Sequence, residues 1–395
     1  MEIIFRAEQS RAEQSRAEQS RADNIAFRVL SAFGIICVVM GHFGCISLTF
    51  DNVFPYATFH IPLFFFVSGY FFNKKSVNNI LEFVLKKGKT LLLPFYIYYF
   101  FNLVIESLLG KYGFAIGDGF SFYNYFVSPW INLQPSGFMA PAWFIIAFFI
   151  MHVLNGFFQG FLTKTVKADF MQDVITTIVY FFAGLLVYMH RELMTTDFEV
   201  NIAKGVLGLT VFWIGYLYKT YFERFEIRVP SRVLIPAIVV VRCVSMYCFG
   251  WGSIAWYSLN GLGKPYILSY VYMVVVAILG ILFWLRISRM FADTFINTRK
   301  SILVFLGRHT YAVMSWHLLA LFIIQGIIGF LNVRYNMFPG FDFGAYKNNV
   351  YYVWYADTSN TMILSIVAIL MVLQFIRIFE PLRAAIKKHI TEKFC

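Results

Sequence analysis

The sequence predicts an all-α polytopic membrane protein with about ten transmembrane helices and both termini cytoplasmic, and three observations carry that prediction. Composition comes first: 59% of the 395 residues are hydrophobic, only 14% are charged and mean hydropathy is +0.66, whereas a soluble domain carries about 25% charged residues. Apolar length comes second. Stretches of about 20 apolar residues, enough to cross a hydrocarbon core of roughly 30 Å, fall near 25–48, 54–73, 90–109, 139–161, 171–189, 201–218, 233–250, 265–285, 309–331 and 359–379. The third is charge placement. Ten crossings bring both ends to one side, where 26 of the 33 Lys and Arg gather against six on the other, with Arg242 inside the seventh span. Positive loops stay cytoplasmic. The net charge of +12 is therefore a topology signal and a match to anionic lipid headgroups, and nucleic acid is not an expected partner.

Taken in order, residues 1–23 form a cytoplasmic tail in which Arg-Ala-Glu-Gln-Ser recurs three times from Arg6 before Arg21-Ala22-Asp23. The unit is too short for a solenoid repeat, and along a helix its like residues spiral round the axis without forming a stripe. A disordered tail follows. The codons AGA-GCA-GAG-CAG-AGC encode this unit as three copies of the pentamer AGAGC read through three frames. Such a tract gains and loses pentamers during replication, which would switch expression on and off; the alternative is a duplicated 15-base unit with no such role. The transmembrane region is placed at 24–380 and a basic cytoplasmic tail at 381–395. The first span follows a polar stretch and is long enough to cross, so it is expected to act as an uncleaved anchor. The loops near 110–138 and 332–358 face outward and are rich in aromatics, suited to the membrane interface or to stacking on sugar rings.

Five cysteines, Cys37, Cys45, Cys243, Cys248 and Cys395, show no Cys-x-x-Cys spacing. They are expected to be buried small hydrophobes, and Cys395 fits no prenylation box. No metal site is expected.

The chemistry-bearing candidates are ionisable groups set in apolar runs. Such a group costs roughly 2.5 kcal/mol or more at the centre of a membrane helix, so it is kept for a partner or a task. His42 lies in the first span, followed by His60-Ile-Pro-Leu-Phe-Phe-Phe-Val-Ser68-Gly-Tyr in the second. Arg28 precedes His42 by 14 residues, about 21 Å along one helix and about 40° short of whole turns, so the two share a face at different depths. Arg28 either meets phosphates at the cytoplasmic entrance or merely snorkels; His42 is either a general base or a helix-to-helix contact. Lys74, Lys75, Lys86, Lys87 and Lys89 form a basic cytoplasmic cluster leading into the third span, read as an anchor for an anionic head or as a plain positive-inside loop. His309 is expected to cap the ninth span, and His317 within it is a second functional histidine or a packed polar contact. His152 and His190 receive no role.

Two segments carry a family resemblance. Val38-Val39-Met40-Gly41-His42 and His60-Ile61-Pro62-Leu63-Phe64-Phe65-Phe66-Val67-Ser68-Gly69-Tyr70 resemble the acyltransferase-3 family of integral membrane acyltransferases, in its stand-alone form. Leu93-Pro94-Phe95-Tyr96, Ala142-Trp143-Phe144 and Leu306-Gly307-Arg308-His309-Thr310-Tyr311 are weaker echoes. The resemblance implies transfer of an acyl group, most often acetyl from cytoplasmic acetyl-CoA, to a hydroxyl of a glycan such as lipopolysaccharide or capsule, from the bacterial inner membrane. For His42 it implies the catalytic role. The family often has an arginine 11 residues earlier, where this chain has Ser31; its arginine is Arg28.

On that footing Arg28, Lys86 and Lys89 would hold the donor's phosphates, and His42 would deprotonate the acceptor or carry the acyl group. His60, Ser68 and His317 are further candidates for the site. Acetyl-CoA enters as a substrate, with no permanently bound cofactor. Two rival readings stand beside this one: a transporter or flippase for a lipid-linked saccharide, and a membrane-bound O-acyltransferase in which His317 is the essential residue.

Overall fold

A computed structural model of the chain describes residues 24–44, 53–132, 134–249, 266–295 and 301–394. Among them every regular element is helical. Ten helices form the bundle: α1 (Asn24–His42), α2 (Tyr56–Tyr70), α3 (Ile80–Lys111), α4 (Trp143–Thr165), α5 (Asp169–Met189), α6 (Asp197–Arg228), α7 (Ser231–Phe249), α8 (Ile267–Phe295), α9 (Thr310–Tyr335) and α10 (Thr358–Phe394). Nine are long and apolar enough to cross a membrane.

The exception is α2. Its 15 residues reach about 22 Å, less than a hydrocarbon core, so the span expected at 54–73 is a short helix buried among its neighbours. Glycines let it pack that closely. A methyl on Gly69 would collide with the Phe212 carbonyl, one on Gly215 with the Phe66 carbonyl, and one on Gly208 with the Phe65 ring. Small residues that admit backbone-to-backbone approach are the usual means of helix association where the lipid offers no hydrophobic drive. The periphery is the reverse, with Phe157, Phe161, Phe182, Val240, Val244 and Ile363 turned outward, as lipid contact requires.

One end of the bundle carries the basic residues, and a charged network ties it together. Arg289 meets both Glu223 (2.6 Å) and Glu226. Tyr70 donates to Glu223 (2.9 Å), Tyr218 to Glu226 (2.9 Å) and Arg286 to the Ser231 hydroxyl (2.8 Å), so the ends of α2, α6, α7 and α8 are locked to each other. Nearby, Lys74 pairs with Asp173 at 2.6 Å and donates to Gln172. Lys74, Arg286 and Arg289, which the sequence counts as loop charge, are thus consumed inside the protein.

The opposite end is aromatic. Its two long loops join through the Ala115 amide and the Lys347 carbonyl (2.8 Å). Buried Glu106 on α3 accepts from the Ser136 hydroxyl (3.0 Å) and the Phe138 amide (3.1 Å), which fixes the approach to α4. Gly137, beside that carboxylate, has φ of 49°, a conformation a side chain resists.

Several expectations need correction. Lys86, Lys87 and Lys89 lie on α3 itself, because the helix begins at Ile80 and continues through a π turn at Gly88–Leu92. Cys37 is buried, but Cys243 and Cys248 are exposed on α7, since that helix lies at the edge of the bundle. The backbone of α10 runs on as helix to Phe394, so the residues of the expected basic tail continue that helix. The repeats at 6–23, Cys45 and Cys395 lie outside the described residues.

Candidate active site

His42 is the last residue of α1, and the chain turns away two residues later at Gly44, whose φ is 77°. The imidazole is held between elements from across the chain. Its ring centroid lies 5.4 Å from that of His317 on α9 and 5.6 Å from that of Tyr351, which stacks on it at 21°. It also lines a cavity of about 140 Å³ with Val38, Gly41, Tyr56, His60 and Trp143, among others. Gly41 is required there, since a side chain would run into the Tyr56 ring. The Trp143 ring carries the Lys204 ammonium 4.0 Å from its centre, a cation–π contact.

Hydrogen bonds fix the two neighbouring histidines. His60 Nδ1 lies 2.6 Å from the Tyr56 carbonyl, and His317 Nδ1 lies 2.8 Å from that of Met314 and 3.1 Å from that of Val313. A carbonyl only accepts, so each Nδ1 is the protonated nitrogen and each neutral ring offers Nε2 as acceptor. His317 Nε2 is buried without a partner. An unmet buried acceptor beside His42 is costly and is chemically suited to a substrate hydroxyl. Tyr351 comes from the loop after α9, which is held by Tyr346 on the Phe322 carbonyl (3.2 Å) and by the Trp354 amide on Gln325 (3.0 Å). Burial pushes the Tyr351 phenol up to about 12, so it keeps its proton at neutral pH.

The structure brings His42, His60 and His317 together and leaves the other candidates apart from them. Arg28 sits at the far end of α1, about 21 Å away along the axis. There its carbonyl packs against Gly307, which brings Arg308 alongside, and the ion pairs among the described residues include neither guanidinium. Ser31 takes no share in this, as its hydroxyl bonds the Phe27 carbonyl at 2.8 Å. Lys86 and Lys89 are exposed on the same basic end. Ser68 is eight residues from His60 and bonds His152, which sequence reasoning passed over. His309 does not cap α9 with its side chain, because its Nδ1 turns back to the Phe305 carbonyl at 2.8 Å. Tyr351 was visible only as one aromatic among many. Among the described residues no group of three or more His, Cys, Asp or Glu gathers as metal ligands.

A helical membrane bundle with an imidazole cluster at one end and cations at the other defines a class, and the family comparison agrees. The acyltransferase domain model of the acyltransferase-3 family matches residues 24–373, from the start of α1 into α10, and the chain belongs to that family. It is a multi-pass membrane acyltransferase. Comparison with curated proteins and with solved structures finds no match in either.

Proposed function

We propose that this acyltransferase moves an acetyl group from cytoplasmic acetyl-CoA to a hydroxyl of a cell-surface glycan, lipopolysaccharide, capsule or similar, across the bacterial inner membrane. One observation supports it most: His42 faces a cavity with His60 and has the unpaired Nε2 of His317 beside it, while the cations Arg28, Lys86 and Lys89 lie at the other end of the bundle. The donor's phosphates bind those cations, and its thioester reaches the level of His42. The imidazole takes the proton of the acceptor hydroxyl as its oxygen attacks the thioester carbonyl. The carbon–sulfur bond breaks, and the CoA thiolate leaves with the proton that His42 releases. Exposed Tyr112, Phe122, Tyr123, Tyr335 and Tyr355 flank the same end of the bundle and offer flat faces to sugar rings.

Mass spectrometry of surface glycans tests this reading. With the wild-type gene the glycan gains about 42 Da per acetyl, as acyl transfer requires, and His42→Ala lowers the modification by about a hundredfold or more. Full decoration by that variant overturns the enzymatic account of His42. Loss with His317→Ala alone would move the essential role to His317, and unchanged glycans with both variants would favour transport of a saccharide. Expression is proposed to switch with pentamer number in the repeat tract. Sequencing the locus from many single colonies should find several repeat counts, and a constant count removes this part.

A further inference from the structure

A second polar cluster lies deeper in the bundle than His42, and nothing in the chemistry above uses it. The Ser68 hydroxyl on α2 lies 3.0 Å from His152 Nε2 on α4, and the Lys87 ammonium on α3 lies 3.3 Å from the same nitrogen. An ammonium only donates, so Nε2 is the acceptor and Nδ1 carries the ring proton. His152 is 1% exposed and its Nδ1 has no partner. The rings of Phe83, Phe148 and Phe212 surround it edge-on, 6.2, 4.9 and 5.6 Å between centroids. A buried donor left unmet in an apolar cage is destabilising. A carbonyl brought by a ligand would relieve that.

The cluster is also in line with His42. Within α2 the residues that are not buried are Tyr56, Ala57, Phe64, Val67 and Ser68. Helical spacing puts Ala57, Phe64, Val67 and Ser68 on one face with His60. α4 runs parallel to that face: Trp143 meets His60 at the cavity, Phe64 stacks on Phe144 at 5.9 Å, and Ser68 meets His152. From the first level to the last is about 12 Å, shorter than an extended pantetheine arm. Lys87 then leads to Lys86 and Lys89 at the surface of the basic end.

We propose that Ser68, His152 and Lys87 hold the pantetheine arm of the acyl donor, with His152 Nδ1–H and the Ser68 hydroxyl meeting its amides and Lys87 the inner side of its diphosphate. The arm runs along α2 and α4 and delivers the thioester to His42. This rests on the acyl-CoA reading above. The test is calorimetric titration of the full-length protein in lipid nanodiscs with CoA and, separately, with adenosine 3′,5′-bisphosphate, which lacks the arm. Wild type binds CoA more tightly than the bisphosphate. Ser68→Ala and His152→Phe weaken CoA about tenfold with no change for the bisphosphate, whose binding also reports a folded protein. His152→Asn, which can place an N–H where Nδ1–H stood, restores CoA affinity. Equal CoA affinity in wild type, Ser68→Ala and His152→Phe overturns the assignment and leaves the acyl-CoA reading in place. Wild type that binds the bisphosphate as tightly as CoA overturns the assignment as well. Failure of wild type to bind CoA at all overturns both.

Discussion

Three of the histidines share a habit that hides their chemistry from the sequence. His60, His309 and His317 each donate Nδ1–H to a carbonyl about one turn back on the helix. Which Nε2 is left unmet depends on neighbours from other helices. His42 and His317 were legible as candidates because an ionisable group in an apolar run demands a reason. His152 met the same condition but stood in no motif, and its partners Ser68 and Lys87 are 84 and 65 positions away. Tyr351 was illegible for another cause, as a loop residue's stacking on His42 depends on how two loops fold over each other. Its role can be separated by substitution. Stacked rings contribute about 0.5–1.5 kcal/mol beyond burial, so Tyr351→Ala should lower kcat about tenfold by releasing the imidazole. Tyr351→Phe keeps the ring and should stay within about threefold of wild type. Steady-state assays of both variants decide between a stacking and a proton-donating phenol, the latter giving equal losses.

At the scale of elements, the apolar pattern located the spans well because lipid imposes length and hydropathy on each segment independently. It did less well at the basic end, where charge was read as loop. Lys74 was counted for topology, yet it is 12% exposed and paired with Asp173, which is 5% exposed and also accepts from Tyr221 at 2.6 Å. Removing one partner leaves a buried charge alone. Asp173→Ala should therefore cost about 3–5 kcal/mol, and Lys74→Met combined with Asp173→Leu should recover most of it. Thermal unfolding in detergent measures both; an additive loss in the double variant would show that the ion pair is not the source. The start of α3 at Ile80, ten residues before the expected span, has the same origin. Asn79 accepts from the Glu82 amide and caps a helix whose first turns are amphipathic, a signal that a search for continuous apolar length passes over.

For the whole molecule the charge pattern predicts the orientation, which in the proposed reaction decides which substrate meets which end. The 26 Lys and Arg assigned to one side predict that Lys89 faces the cytoplasm and Tyr112 the outside. In a background with the five cysteines replaced, Tyr112→Cys should react with a membrane-impermeant thiol reagent on intact cells. Lys89→Cys should react only after permeabilisation. The reverse pattern would place the imidazole cluster inside and the acceptor with it. Substitution of the background is needed because Cys243 and Cys248 are exposed on α7.

The glycines that seat α2 against α6 also bear on how the chain is made. Gly208 and Gly215 emerge from the ribosome well over a hundred residues after Phe65 and Phe66, the residues they receive. Until then α2 is an apolar rod too short for the bilayer it enters, with its snuggest neighbour not yet synthesised. The earliest segment to contain a candidate site residue beyond α1 must wait, half-housed beside the insertion machinery, for a much later one to arrive. The candidate site is thereby deferred beyond the sixth helix, and it closes only when His317 on α9 and Tyr351 in the loop after it have followed.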